Sequence, residues 1–172
     1  VLRPYAVPPH ARHNVWVDLD PQLANLAFAA SVHATNGIPV VAERAMWWPG
    51  AYPQWYEAHN SPGTTAAGTH WALADAEVNA DTETYLLFGN PNAAIATANV
   101  ELMCSDGGPY FKAVSIPAWG RANLTPSQVP GVGGNRKCGA MVSATLPIIV
   151  ERAIYRGAGW TSGGAALATR LQ

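Results

Sequence analysis

Charge is scarce in this chain of 172 residues: Asp, Glu, Lys and Arg together make up 12% of it, about half the share usual in soluble domains. Lysine is nearly missing, with Lys112 and Lys137 alone. Ten basic residues against eleven acidic ones give a formal net charge of -1, so no basic field awaits nucleic acid or anionic lipid. Long apolar runs are lacking too. The uncharged stretch Gln22–Ala42 is broken by Asn25, Ser31, His33, Asn36, Gly37 and Pro39, which excludes it as a membrane span. Helical periodicity is weak throughout; only Pro21–Ala30 could turn helically, and its tail reads better as a strand. No Gly-x-Ser-x-Gly elbow is present, so a hydrolase nucleophile is not signalled. Gly131–Lys137 lacks the spacing of a phosphate loop and reads as a flexible connection. No charged-then-apolar leader follows Val1, and the chain is expected to be a processed or trimmed form.

What is present is apolar. Hydrophobic residues make up 49% of the chain, which excludes a disordered polypeptide and supplies core for one ordinary domain or two small ones. Sixteen Gly and fourteen Pro fall as punctuation between apolar runs, the pattern of an all-β chain. Cys104 and Cys138 are the two cysteines, and each sits at the end of an expected strand. A disulfide between them suits a secreted β domain; two buried free thiols are the alternative. Zinc is not expected, because neither cysteine has a second one at ligand spacing.

A repeat runs through the chain. Val40–Trp48 returns as Ile148–Arg156, with Glu43-Arg44-Ala45 matched by Glu151-Arg152-Ala153. Upstream, Val32–Thr35 returns as Val142–Thr145, and Pro8–Val15 is answered by Pro117–Leu124. A tandem duplication explains these matches. The second copy is the complete one. Its strands are expected at Trp71–Ala74, Thr82–Phe88, Ala96–Cys104, Tyr110–Ile116, Arg121–Thr125, Cys138–Ser143 and Ile148–Tyr155, with breaks that include Asn90-Pro91-Asn92 and Leu146-Pro147. Seven short strands in about 100 residues match an immunoglobulin-like β-sandwich. In the first copy Val1–Val7 corresponds to Tyr110–Ile116, so everything equivalent to Trp71–Gly108 is missing from its front. The expected organisation is a partial sandwich over 1–66, completed from outside the chain, and a complete one over 67–172.

The strand Pro39–Trp48, the loop His59–Gly63, the strand start Thr69-His70-Trp71 and the segment Tyr85–Asn92 together resemble an uncharacterised bacterial family of extracellular tandem repeats. That resemblance covers most of the chain. It implies a secreted or surface-anchored β-sandwich, often appended to longer proteins, and it carries over no catalytic residue.

The repeated charges invite a chemical reading. Glu43 and Glu151 recur beside Arg44 and Arg152, but neighbouring strand residues face opposite sides, and acid–base catalysis needs a second positioned group. Structural ion pairs are expected instead, Glu151 with Arg121 and Glu43 with Arg12. His10 and His13 flank Arg12 too loosely for a defined metal site. Asp75, Glu77, Asp81 and Glu83 lack the order of a calcium loop and read as a solvated acidic edge. Trp47, Trp48, Tyr52, Trp55 and Tyr56 make a low-charge aromatic run fit to pack on a neighbouring protein or stack on sugar rings. The sequon Asn123-Leu124-Thr125 is short enough to be chance. The expected function is a non-catalytic structural or adhesive module outside the cell, with protein partners or neighbouring copies, no cofactor, no metal and no nucleic acid. The alternative is a carbohydrate-binding accessory domain of a secreted hydrolase.

Overall fold

The computed structural model describes residues 1–49, 56–105 and 107–171. These form two compact units, Val1–Ala30 and Ser31–Gln172, so the division falls upstream of the expected boundary at 66/67. The first unit holds no strand. It carries a 3-10 turn at Val17–Leu19 and is tied by Arg3, which donates to Asp20 Oδ2 at 2.8 Å and to Gln22 Oε1 at 2.6 Å.

The second unit is all-β. Its strands are β1 (Glu43–Trp48), β2 (Glu57–Pro62), β3 (Gly68–Val78), β4 (Thr82–Gly89), β5 (Ala96–Cys104), β6 (Gly107–Ile116), β7 (Arg121–Leu124), β8 (Arg136–Arg156), β9 (Ser162–Leu167) and β10 (Thr169–Arg170). β1 and β2 form an antiparallel hairpin of their own, and the other eight strands join through β8. The first half of β8 lies between β3 and β5, with β10 beyond β3 and β6 beyond β5. Its second half lies between β4 and β9, with β7 beyond β4.

The expected break at Leu146-Pro147 is not a break. β8 runs through it while changing partners. Its pairing with β5 ends at Ala144 and its pairing with β4 begins at Ile149. Thr69 alone on β3 spans the four residues Ala144–Pro147, a bulge that bends the strand. Proline has no N–H to give a ladder, and here none is needed. Its carbonyl is used, accepting from Asn92 Nδ2 at 2.8 Å.

One core lies between the two halves. Period-2 alternation places Ala98, Val100 and Leu102 of β5 and Leu86 and Phe88 of β4 inside, all at most 1% exposed. Ala140, Val142, Ile148 and Val150 of β8 join the same cluster. Cys104 and Cys138 are register partners on β5 and β8 and are bonded, with their Cα atoms 3.9 Å apart.

β6 pairs with β5 alone, and the first half of β8 pairs with β3 and β5. Val1–Val7 and Val32–Thr35 form no strand. β1 forms because its partner β2 follows it locally.

Candidate interaction surface

Register fixes which side chains of the hairpin share a face. Arg44 faces Ser61, Met46 faces His59 and Trp48 faces Glu57, and since cross-strand partners share a side, these six make one face. Its β2 members His59 and Ser61 are buried, whereas Ala58 and Asn60, which alternate with them, are exposed. The buried face lies on the second half of β8 and on β9, against Glu151, Ala153 and Tyr155. These β8 residues alternate with Val150, Arg152 and Ile154, which point the other way.

Glu151 accepts from Arg44 Nη2 at 2.6 Å. This arginine is delivered across the interface by β1. Arg121 lies near enough to feel both Arg44 and Glu151, and burial is the main cause of its lowered pKa. Its guanidinium donates to Asn123. Arg12 donates to Asn14, two residues on in its own turn, at 3.0 Å, and Glu43 accepts from the Asn60 amide at 3.2 Å. Arg152, on the opposite side from Glu151, donates to Asp75 Oδ2 at 2.9 Å. Arg156 reaches Glu77 Oε2 at 3.2 Å. Two of the four acidic residues expected at a solvated edge are therefore ion-paired.

The aromatic part of the interface centres on Tyr155. Its ring lies edge-on to Trp48 at 5.3 Å, against Trp160 at 5.1 Å and near His59 at 5.9 Å. Trp48 Nε1 donates to Trp160 O at 2.6 Å. Gly163 makes room for that indole: a Cβ there would stand 3.0 Å from two Trp48 ring carbons. His59 Nε2 and the Tyr155 hydroxyl are 3.3 Å apart, and His59 Nδ1 is buried without a hydrogen-bond partner. Burial, then the Arg44 charge, holds the His59 pKa below its ordinary value. Burial raises Tyr155. Tyr85, donating to Glu83, is pushed up to about 12, again chiefly by burial. The imidazole and both phenols are thus neutral near pH 7, as suits a packed contact.

Trp47 and Trp48 split as strand alternation requires: Trp48 turns in, and Trp47 is 59% exposed. Tyr52 and Trp55 lie outside the described residues, and Tyr56 is exposed. His59 was missed as an interface residue because its neighbours His-Asn-Ser read as a turn. Its burial follows only from the register with β1. Among the described residues, no three His, Cys, Asp or Glu side chains are grouped to hold a metal, and no helix is long and apolar enough to cross a membrane.

Among the described residues, the other edge of β1 has no partner strand. Gly63 N donates to Ala42 O at 2.8 Å, which sets the ladder parity: Arg44, Met46 and Trp48 exchange hydrogen bonds with β2, and the amides of Glu43, Ala45 and Trp47 point away. In β8 the parity is the same. Ala168 N donates to Val150 O and Gly157 N to Asp81 O, both within 2.9 Å, so Arg152, Ile154 and Arg156 bond β9, whereas Glu151, Ala153 and Tyr155 bond β4. Among the described residues β1 has no strand in the place that β4 takes on β8.

No protein-family model and no curated protein matches the chain. Among solved structures, the crystal structure of Thermotoga maritima 1070 is similar in fold, with a TM-score of 0.56 and 13% identity, over 60% of this chain and 95% of that one. The Anabaena sensory rhodopsin transducer aligns with a TM-score of 0.45 and 16% identity, over 52% of this chain and 99% of that one.

Proposed function

We propose that this chain is a non-catalytic structural module of an extracellular assembly, built from immunoglobulin-like repeats and completed at β1 by a strand from outside the chain. The open edge of β1 carries this reading. The sequence of β1 matches the second half of β8, its hairpin partner lies in the same parity, and β8 pairs with β4 on the edge where β1 has no strand among the described residues. An unpaired edge beside exposed Val40, Val41 and Trp47 is a feature that proteins normally cover. The donor is a β4-type strand, antiparallel, and the mode is β-augmentation. The bridge between Cys104 and Cys138 suits an oxidising compartment.

The test is titration of the full chain with a synthetic peptide of the β4 sequence, Asp81–Asn90. Saturable binding that orders β1 supports the reading. A peptide that leaves β1 unchanged, together with a chain that binds a glycan through Trp47, would replace it with the carbohydrate-binding alternative.

A further inference from the structure

We infer that the β1–β2 hairpin is an acid-released latch, which leaves its seat on β8 and β9 when His59 takes up a proton while the eight-stranded sheet stays folded. The inference concerns how the hairpin is seated and holds whether or not β1 accepts a strand at its edge.

Among the described residues, no backbone ladder joins the two-stranded sheet to the eight-stranded one. Side chains hold the hairpin down: the Arg44–Glu151 ion pair, the Trp48 indole on Trp160 O, and the rings around Tyr155. A contact of this kind opens without unravelling a sheet. His59 is buried among these rings, 5.4 Å from Trp48 and 5.9 Å from Tyr155.

A neutral imidazole suits that place and an imidazolium does not. Nε2 and the Tyr155 hydroxyl satisfy one another at 3.3 Å, and Nδ1 is buried with no partner. In the cation both nitrogens carry hydrogen, so Nδ1 becomes a buried donor with no acceptor on a ring whose charge burial already opposes. The surrounding charges do not offset this. Arg44 and Glu57 share the hairpin face with His59, and Glu151 and Tyr155 meet it from β8. Arg121 of β7 feels Arg44 and Glu151, Tyr85 and Glu83 of β4 stand behind Tyr155, and β9 carries no titratable side chain. Of these, Arg44 acts on His59, and it repels. Glu151, which could attract, is engaged by Arg44 at 2.6 Å. Released into water, both ring N–H groups find acceptors and the ring regains its ordinary pKa of about 6.5. The released hairpin therefore holds the proton more tightly, and acid favours it. The seat is strongest above that value and weakens as pH falls toward the lower seated one, by at most about tenfold per pH unit for one proton.

The probe is hydrogen exchange of the Trp48 indole N–H in the full chain, relative to free tryptophan, beside the core amides of Val142 and Val150. At neutral pH the indole should be less protected than those amides. Low urea should leave its protection nearly unchanged, because unseating exposes little surface. Between about pH 6.5 and 5 its protection should fall, approaching about tenfold per pH unit. His59→Phe keeps a ring in the seat and should remove that fall. Where this variant does not fold, NMR titration of the His59 ring in the parent decides, with a midpoint below the ordinary value expected. An indole that exchanges only together with the core amides and with their urea dependence, protection that ignores pH, or a fall that persists in His59→Phe would overturn the inference. So would a His59 ring that titrates at or above about 6.5. The strand proposed for β1 is tested separately, by the β1 amides and the Asp81–Asn90 peptide.

Discussion

Asn90 offers a sharp test of how the complete module is held. It is 3% exposed, and its side-chain amide donates to Ala94 O at 2.8 Å, Pro117 O at 2.9 Å and Ile116 O at 3.2 Å. Its Oδ1 accepts from the Asn92 backbone at 3.0 Å and the Asn92 amide at 2.7 Å. One side chain thus closes the β4–β5 turn onto the β6–β7 corner. Two N–H groups serve three carbonyls, so removal forfeits about two good bonds, and each partly buried group left unmet costs about 1–3 kcal/mol. Asn90→Ala should therefore destabilise by about 2–4 kcal/mol. Asn90→Asp should cost at least as much, because a carboxylate has no hydrogens for those carbonyls and is repelled by them. Urea unfolding measures both, with an unchanged slope showing that only stability moved. A cost below about 1 kcal/mol for Asn90→Asp would refute the reasoning.

Opening the Cys104–Cys138 bridge, which closes a separation of 34 residues, should cost about 3–4 kcal/mol by the chain-entropy relation, seen as a lower urea midpoint in reductant. His59 has its pKa lowered by burial, so the unfolded chain takes up its proton first as acid is added. The stability it contributes is complete above its ordinary pKa of about 6.5 and is lost as pH falls through the lower folded value. Subtracting the pH profile of His59→Phe from that of the parent should expose this slope, and parallel profiles would contradict it. Gly163→Ala should push on the Trp48 ring at 3.0 Å and cost about 1–3 kcal/mol by overpacking, with a change in tryptophan emission. Unaltered emission and melting would show that the hairpin is not seated there.

Much of the second unit is legible in the sequence, because apolar alternation between turn residues reports strands directly. Thr82–Gly89 and Ala96–Cys104 stand where that alternation places them, and the cysteines at adjoining strand ends are bonded. Pro147 misleads, since a proline signals a break unless its strand is changing partners at that residue. The ion pairs are less legible. That Glu151 faces away from Arg152 follows from alternation, but that Arg44 supplies its charge depends on a hairpin from 107 positions upstream. Val1–Val7 is irregular although its residues suit a strand, because strand propensity forms no sheet without a pairing partner. Trp48 of the aromatic run and His59 beyond it enter an interface whose other wall, Tyr155 and Gly163, no local pattern announces.

The central claim is that β1 is a strand waiting for a neighbour, and amide hydrogen exchange on the full chain reads it residue by residue. Alone, the amides of Arg44, Met46 and Trp48, bonded to β2, should exchange slowly, and those of Glu43, Ala45 and Trp47 should exchange fast. With saturating Asp81–Asn90 peptide the second set should slow to match the first. Protection of all six amides in the isolated chain, or fast exchange at Glu43, Ala45 and Trp47 that the peptide leaves untouched, would contradict the account.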